Sequence, residues 1–258
     1  MSKNILITGA SSGIGKAIAL EFAKKEGASN HFILVARNSA KLEQVAQEVR
    51  VLGAQASIML ADFSKKESIA QLFTDLEKDF PKLDLVFNNA GLGFVKEAYL
   101  LSDDEVEQII DVNVKGMILV GKKAAGLMIK QGYGQIIFTS SLAAYLLAPQ
   151  WSVYCASKWG ITVFANILRQ EVAPYGIKIT TVHPGPVKTE FFDKNKADID
   201  LNSSESMQAA VTAEEVAQAI YEAIKSGKDR IFVPSSLEAT VKTTDYFPAW
   251  TDLKILTK

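Results

Sequence analysis

An apolar run from Asn4 to Thr8 passes straight into Thr8-Gly9-Ala10-Ser11-Ser12-Gly13-Ile14-Gly15. An apolar period of helical spacing follows through Ile18, Ala19, Phe22 and Ala23. Buried strand, glycine turn, helix is the opening of a strand–helix–strand unit. Glycine is needed where the backbone takes a positive φ, or where a Cβ would block an approaching pyrophosphate. Backbone N–H groups at such a helix start suit a phosphate. The spacing is Gly-x-x-x-Gly-x-Gly, not the Gly-x-Gly-x-x-Gly of the commoner dinucleotide fingerprint. A strand-to-helix turn with no ligand uses the same residues, so this segment alone leaves both readings open.

The rest of the chain repeats the alternation. Strand-like runs lie near Asn4–Thr8, His31–Ala36, Gln55–Ala61, Leu83–Asn88, Gln135–Ser140, Lys178–His183 and Arg230–Val233. Helical periods lie near Ile14–Glu26, Ala40–Leu52, Lys66–Asp79, Asp103–Lys130, Val153–Pro174 and Thr212–Ser226. This predicts an α/β fold with a doubly wound parallel sheet of about seven strands and helices on both faces. Ser102-Asp103-Asp104-Glu105 reads as a capped helix start, Thr212-Ala213-Glu214-Glu215 as a capping box, and Gly132 as a helix stop. No linker or internal repeat divides the chain, so residues 1–258 are expected to be one Rossmann-type domain. Residues 191–211 are polar and irregular after a strand end, where ligands bind in such sheets, and are expected to form a substrate lid. Residues 234–258 form a C-terminal tail carrying Tyr246, Phe247, Pro248 and Trp250, expected to pack on its own domain or on a sister subunit.

Composition narrows the class. A chain of 258 residues with 48% hydrophobic content can bury a large core. The net charge of −1 favours neither nucleic acid nor an anionic membrane. One cysteine excludes an internal disulfide framework, and no apolar run reaches membrane-spanning length. A cytoplasmic protein is the expectation. His31 and His183 have no partner at metal-ligand spacing, so no metal site is expected. Cys155 is expected to point off a different helical face from Tyr154.

Tyr154 and Lys158 are four residues apart and share a helix face. An ammonium beside a phenol favours the phenolate and is expected to lower the tyrosine pKa. Ser141, thirteen residues before Tyr154, ends a strand and offers a hydroxyl for a substrate oxygen. Ser140 is the alternative hydroxyl.

Together these features resemble the short-chain dehydrogenase/reductase family, in its group of about 250 residues. The resemblance runs from Asn4 to about Val233. It includes Asn88-Asn89-Ala90-Gly91, Asn113 in Asp111-Val112-Asn113-Val114, Ser140-Ser141, Tyr154-x-x-x-Lys158 and Pro184-Gly185-Pro186-Val187-Lys188-Thr189. It implies a catalytic set of Asn113, Ser141, Tyr154 and Lys158. Tyr154 donates or accepts the proton, and Ser141 orients the substrate oxygen. Lys158 lowers the Tyr154 pKa and binds the nicotinamide ribose, while Asn113 anchors a relay water. It implies cofactor contacts at Gly9, Ser11, Ser12, Gly13, Ile14, Gly15, Arg37, Asn38, Asp62, Phe63, Asn89, Ala90, Gly91, Tyr154, Lys158, Pro184, Gly185, Val187 and Thr189. A helix-capping role for Asp62 or Ser64 is the alternative there.

The strand end Val35-Ala36-Arg37-Asn38 carries no acid to accept from a ribose. Arg37 stands where NADP-preferring members carry a basic residue, and a guanidinium can clamp a phosphate. NADP(H) is therefore preferred. A second basic residue is missing from the glycine loop, where Ser12 stands, so NAD(H) use stays possible. The function expected is NADPH-dependent interconversion of a ketone or aldehyde and an alcohol, in a carbonyl-reductase-type enzyme. The rivals are an NAD-linked alcohol or amino-alcohol dehydrogenase, and a non-catalytic NADP(H)-sensing protein. Leu92-Gly93-Phe94, Leu142 to Leu147, Trp151 and Phe191-Phe192 are expected to line an apolar substrate pocket, with Lys96, Lys188 and Lys194 as possible cationic exceptions. The resemblance also implies a homodimer or homotetramer. Small residues on the long helices (Gly116, Gly121, Ala124, Ala125; Ala156, Gly160, Ala165) fit either subunit contact or packing on the parent sheet.

Overall fold

The computed structural model describes residues 2–145, 149–191 and 210–243. In chain order the main elements are β1 (Lys3–Thr8), α1 (Gly13–Glu26), β2 (Asn30–Ala36), α2 (Ser39–Val51), β3 (Gln55–Leu60), α3 (Lys66–Asp79) and β4 (Leu85–Asn88). There follow α4 (Asp103–Ile110), α5 (Met117–Gln131), β5 (Gly134–Thr139), α6 (Ser152–Val172), β6 (Ile177–Pro184), β7 (Val187–Lys188) and β8 (Val211–Thr212). The last are α7 (Ala213–Ser226), β9 (Arg230–Val233) and α8 (Leu237–Thr243). Seven strands form one parallel sheet in the order β3-β2-β1-β4-β5-β6-β9. The expected α/β doubly wound fold is found.

The strand sequences explain the two-sided burial. Side chains alternate faces along a strand. Ile5 and Ile7 of β1, with Phe32 and Leu34 of β2, enter one core, which α1, α2 and α7 cover. Leu6, Ile33 and Val35 enter the opposite core, which α3, α5 and α6 cover. A strand apolar at every position is what a sheet buried on both faces requires. Only β3, at the edge, keeps partly exposed residues throughout.

The chain reverses its order beside β1, whose neighbours are β2 and β4. Helices diverge there, and the carboxyl ends of the strands border a crevice. Two-residue strands β7 and β8 pair in parallel, Val187 with Val211 and Lys188 with Thr212. Residues 192–209, most of the expected lid, and Tyr246, Phe247, Pro248 and Trp250 of the tail lie outside the described residues.

The expected caps are present. Ser102 with Glu105 and Thr212 with Glu215 each form a reciprocal capping box, and Gly132 takes the left-handed conformation after α5. The predicted helix over Asp103–Lys130 is continuous but not uniformly α-helical. Six π-helical residues, Asp111–Gly116, separate α4 from α5. A Cβ on Gly116 would stand 2.4 Å from the Phe63 carbonyl oxygen, and Asn88 Nδ2 donates to the Met117 carbonyl at 2.7 Å. Close backbone contact and this tether hold the widened turn against the sheet. Helix α6 stops at Val172 because Pro174 cannot continue it. The short helix α8 falls in the tail and lacks a strong sequence period.

Candidate active site

A cavity of about 590 Å³ lies across the carboxyl ends of the strands. Gly9, Ser11, Ser12, Gly13 and Ile14 line it from the glycine loop. Gly9 and Gly13 have φ of 68° and 52°, which a side chain would strain. Gly15 does not line the cavity. Its role is packing, since a Cβ there would stand 2.3 Å from the Gly9 carbonyl oxygen. The loop after β4 in turn crowds Gly9, where a Cβ would stand 3.0 Å from Ala90 Cα. Thr8 Oγ1 accepts from Asn89 N at 2.8 Å and from Ala90 N at 3.0 Å, and Asn89 Nδ2 donates to the Thr8 carbonyl. Thr8, given no role from sequence, thus fastens the glycine loop to Asn89, Ala90 and Gly91, all three of which line the cavity.

Ala36, Arg37 and Asn38 line the end beyond β2. Arg37 is exposed and makes no ion pair among the described residues. Asn38 also caps α2, its Oδ1 accepting from Lys41 N at 2.9 Å. Asp62 and Phe63 line the same region. Asp62 Oδ1 accepts from Ser64 Oγ at 2.7 Å and Ser64 N at 3.1 Å. Burial raises the Asp62 carboxyl, but the two Ser64 hydrogen bonds and the charges of Arg37 and Lys65 outweigh it and hold the pKa below the ordinary value. Asp62 and Ser64 thus close a local turn, but the helix-capping role expected as the alternative is not found, since Lys65 is the N-cap residue of α3 and no side chain caps it; the Asp62 carboxylate borders the cavity. Pro184, Gly185, Val187 and Thr189 close the opposite side. Leu237 of α8 fills the space beside Gly185, where a Cβ would meet its Cδ1 at 2.9 Å.

The catalytic candidates converge at the inner end. Ser141, Tyr154 and Lys158 line the cavity, with Tyr154 7% and Lys158 3% exposed. The Ser141 hydroxyl is near enough to Tyr154 to oppose the rise in its pKa. Ser141 Oγ also accepts from Ala143 N at 3.1 Å. The alternative hydroxyl, Ser140, is engaged with Thr162 and the Lys158 carbonyl. Asn113 is fully buried behind the cavity. Its Oδ1 accepts from Leu92 N at 2.8 Å, and its Nδ2 donates to the Leu92 carbonyl at 2.7 Å and to Ser157 Oγ at 3.1 Å. It joins the loop after β4 to α6. A Cβ on Gly91 would lie 3.3 Å from Asn113 Oδ1 and 3.5 Å from Lys158 Nζ, so glycine leaves that corner open.

The electrostatics correct one expectation. Tyr154 is not lowered in the protein alone. Burial pushes it up to about 12, with the Ser141 hydrogen bond opposing and the Cys155 charge adding to the rise. Burial instead lowers Lys158 to about 8. Its Nζ donates to the Thr139 carbonyl at 3.1 Å and lies 5.7 Å from the Tyr154 ring centre.

Cys155 is a second correction. It lines the same cavity as Tyr154 and is buried. Trp151 and Phe191 frame Tyr154, with ring centres 5.5 Å and 6.0 Å from its own. Leu92, Leu142 and Ala143 complete apolar wall near them. Phe94 does not line the cavity, Gly93 packs against the Tyr154 ring, and residues 146–147 and Phe192 lie outside the described residues. Lys96 is taken up by Glu105 at 2.7 Å, and Lys194 lies outside the described residues.

Sequence reading missed Lys41 and Glu190, which both line the cavity and form an ion pair across it at 3.1 Å. Topology alone brings them together. It also missed the environment of His183. This side chain is fully buried, stacks on Phe232 and meets the edge of Tyr145. Its Nδ1 lies 3.4 Å from the Ser141 carbonyl oxygen. Burial, partly opposed by that hydrogen bond, lowers it to about 3. No group of His, Cys, Asp and Glu suited to a metal occurs among the described residues.

Residues 3–200 match the short chain dehydrogenase family. An NADP-dependent 3-hydroxy acid dehydrogenase of Schizosaccharomyces pombe is 35% identical, over 84% of this chain and 85% of that protein. The crystal structure of an alcohol dehydrogenase from Thermococcus sibiricus, complexed with 5-hydroxy-NADP, superposes with a TM-score of 0.79. It is 28% identical, over 90% of this chain and 96% of that one. A short chain dehydrogenase/reductase from Burkholderia phymatum, in complex with NAD, has a TM-score of 0.82 and 25% identity, over 93% and 92% of the two chains. With glycine loop, sheet order and the Ser141–Tyr154–Lys158 cluster already in place, these likenesses settle descent: the chain belongs to the short-chain dehydrogenase/reductase family and is an oxidoreductase of that kind.

Proposed function

We propose that this enzyme uses NADP(H) to interconvert a ketone or aldehyde and an alcohol. The observation that carries the reading is one cavity with Arg37 at one end and Ser141, Tyr154 and Lys158 at the other. The dinucleotide fits the residues present. The positive-φ glycines and the open corner at Gly91 form a cradle that side chains would fill, and Arg37 offers a guanidinium with no ion pair among the described residues. Gly9 through Ile14 would hold the pyrophosphate, Arg37 and Asn38 the adenosine ribose and its 2′-phosphate, and Val187 and Thr189 the nicotinamide end. When bound, the cofactor supplies or receives the hydride.

The chain's own residues handle the oxygen and its proton. A phenol held near pKa 12 is fully protonated at neutral pH, so Tyr154 begins carbonyl reduction with its proton in place. Ser141 Oγ donates to the substrate oxygen and fixes its position beside that phenol, which lowers the barrier through orientation and charge stabilisation. Lys158 is the nearest cation and favours the phenolate that remains. Leu92, Leu142, Trp151 and Phe191 keep water away and favour an apolar substrate.

A homodimer or homotetramer remains part of the proposal. The small residues of α5 and of the π-helical stretch before it do not support it, because Gly116 and Gly121 are consumed by contact with Phe63 and Phe138 and Ala124 and Ala125 are buried in the core on that face. Its support is Ile129 of α5 and Ile167 of α6, which are exposed. Sedimentation at working concentration tests this point.

The activity is tested by NADPH consumption across ketones, diketones, aldehydes and 3-oxoacyl thioesters. Turnover of at least one compound, lost in Tyr154→Phe, is expected. Cofactor binding without turnover anywhere in the panel overturns the catalytic reading. Tighter binding of NADPH than NADH is expected, with the difference erased by Arg37→Ala.

A further inference from the structure

Resting on the NADP(H) reading, we infer that Lys41 is the second cation for the 2′-phosphate, standing in for the basic residue that the glycine loop lacks, and that Glu190 is its competing counter-ion.

Three observations carry this. Lys41 lines the cavity beside Arg37 and Asn38. Its place is fixed, because Asn38 Oδ1 accepts from Lys41 N and so sets the first turn of α2 over the strand end. Its Nζ, about half exposed, is held 3.1 Å from Glu190 Oε2, and that carboxylate is 68% exposed. An ion pair this open is weak, since water and salt screen both partners. A phosphate carries close to two negative charges and three acceptor oxygens. It therefore outcompetes one solvated carboxylate for the same ammonium, and charge-assisted contacts strengthen the exchange. Ser12 supplies no charge at the neighbouring loop, so Arg37 and Lys41 are the cations lining this end of the cavity among the described residues.

Glu190 gives the exchange a second consequence. It is bonded through the chain to Phe191, whose ring lies 6.0 Å from that of Tyr154. Glu190 therefore adjoins the wall of the catalytic end. The same carboxylate repels a bound 2′-phosphate, so it sets how strongly the two cations discriminate between the phosphorylated and plain cofactors.

The test is isothermal titration calorimetry with adenosine 2′,5′-bisphosphate and 5′-AMP, on the whole chain and on Lys41→Met, Glu190→Gln and Arg37→Met. Expected are a roughly tenfold weaker bisphosphate affinity in Lys41→Met with 5′-AMP unchanged, and a roughly threefold stronger bisphosphate affinity in Glu190→Gln that shrinks at high salt. If Lys41→Met and Glu190→Gln bind both ligands as wild type does while Arg37→Met loses the preference, the inference is overturned and the NADP(H) reading survives. If wild type binds the two ligands equally and Arg37→Met changes nothing, both fall.

Discussion

Lys158 Nζ sits 5.7 Å from the centre of the Tyr154 ring and gives its hydrogen bond to the Thr139 carbonyl. The cation is a neighbour of the phenol, not its partner. In the protein alone, desolvation governs both groups and drives them in the directions that disfavour charge. Function then requires that substrate and cofactor change this balance when they arrive.

The first consequence is optical. With Tyr154 near 12, the difference between wild type and Tyr154→Phe in phenolate absorbance stays flat up to about pH 11 in cofactor-free protein. A step near neutral pH would show that Lys158 already ionises the phenol and that burial is not in control.

A stability effect follows from Lys158. Its folded pKa of about 8 lies below the ordinary 10.5. Between these values the unfolded chain binds more protons, so wild-type stability rises with pH across that window, by about 3 kcal/mol. Lys158→Met lacks this term. Its melting temperature should exceed wild type by several degrees at pH 7, with the gap closing towards pH 10.5. Equal gaps at both pH values would remove the buried cation from the account.

Gly93 controls the aromatic wall. A Cβ there would stand 3.0 Å from Tyr154 Cδ2 and 3.1 Å from Phe191 Cε1. Gly93→Ala should tilt the phenol, lowering kcat about tenfold at unchanged NADPH affinity. Phe191→Ala on that background opens space and should restore part of the loss. Undiminished kcat in Gly93→Ala would mean that the rings yield without cost.

His183 holds Ser141 from behind through the contact with its carbonyl. The ring's pKa, near 3 against an ordinary 6.5, means that the unfolded chain binds more protons between those values. Stability therefore falls as pH drops through that window, by about 2 kcal/mol at pH 5. His183→Phe keeps a ring to stack on Phe232 and removes the titration. Urea midpoints at pH 7 and pH 5 should differ less in the variant than in wild type. The variant should also lose kcat while keeping its KM for NADPH, because Ser141 loses a tether remote from the cofactor. His183→Asn, which retains a donor, should recover part of that kcat.

The two-sided apolar strands made the sheet legible, since Ile5, Leu6 and Ile7 have no solvent-facing member. Ser141, Tyr154 and Lys158 were legible because spacing along one helix and one strand end is a local property. The π-helical stretch at Asp111–Gly116 was not. It depends on the Phe63 carbonyl, which is distant in sequence and meets Gly116 only after the sheet assembles. Cys155 was misplaced for a related reason. A helical wheel gives directions around an axis, whereas the cavity lining takes in the adjacent residues Tyr154 and Cys155 together. The Lys41–Glu190 pair joins residues 149 positions apart, and no short-range pattern announces it.

The paired strands β7 and β8 have an engineering meaning. Val187–Val211 and Lys188–Thr212 act as two fixed posts, so whatever lies between them enters and leaves at a constant spacing. Thr189, Glu190 and Phe191 leave the first post directly into the cavity wall, so the pairing fixes where that wall begins. A change at either post is therefore expected to move this wall while leaving the seven-stranded sheet's pairing as it is.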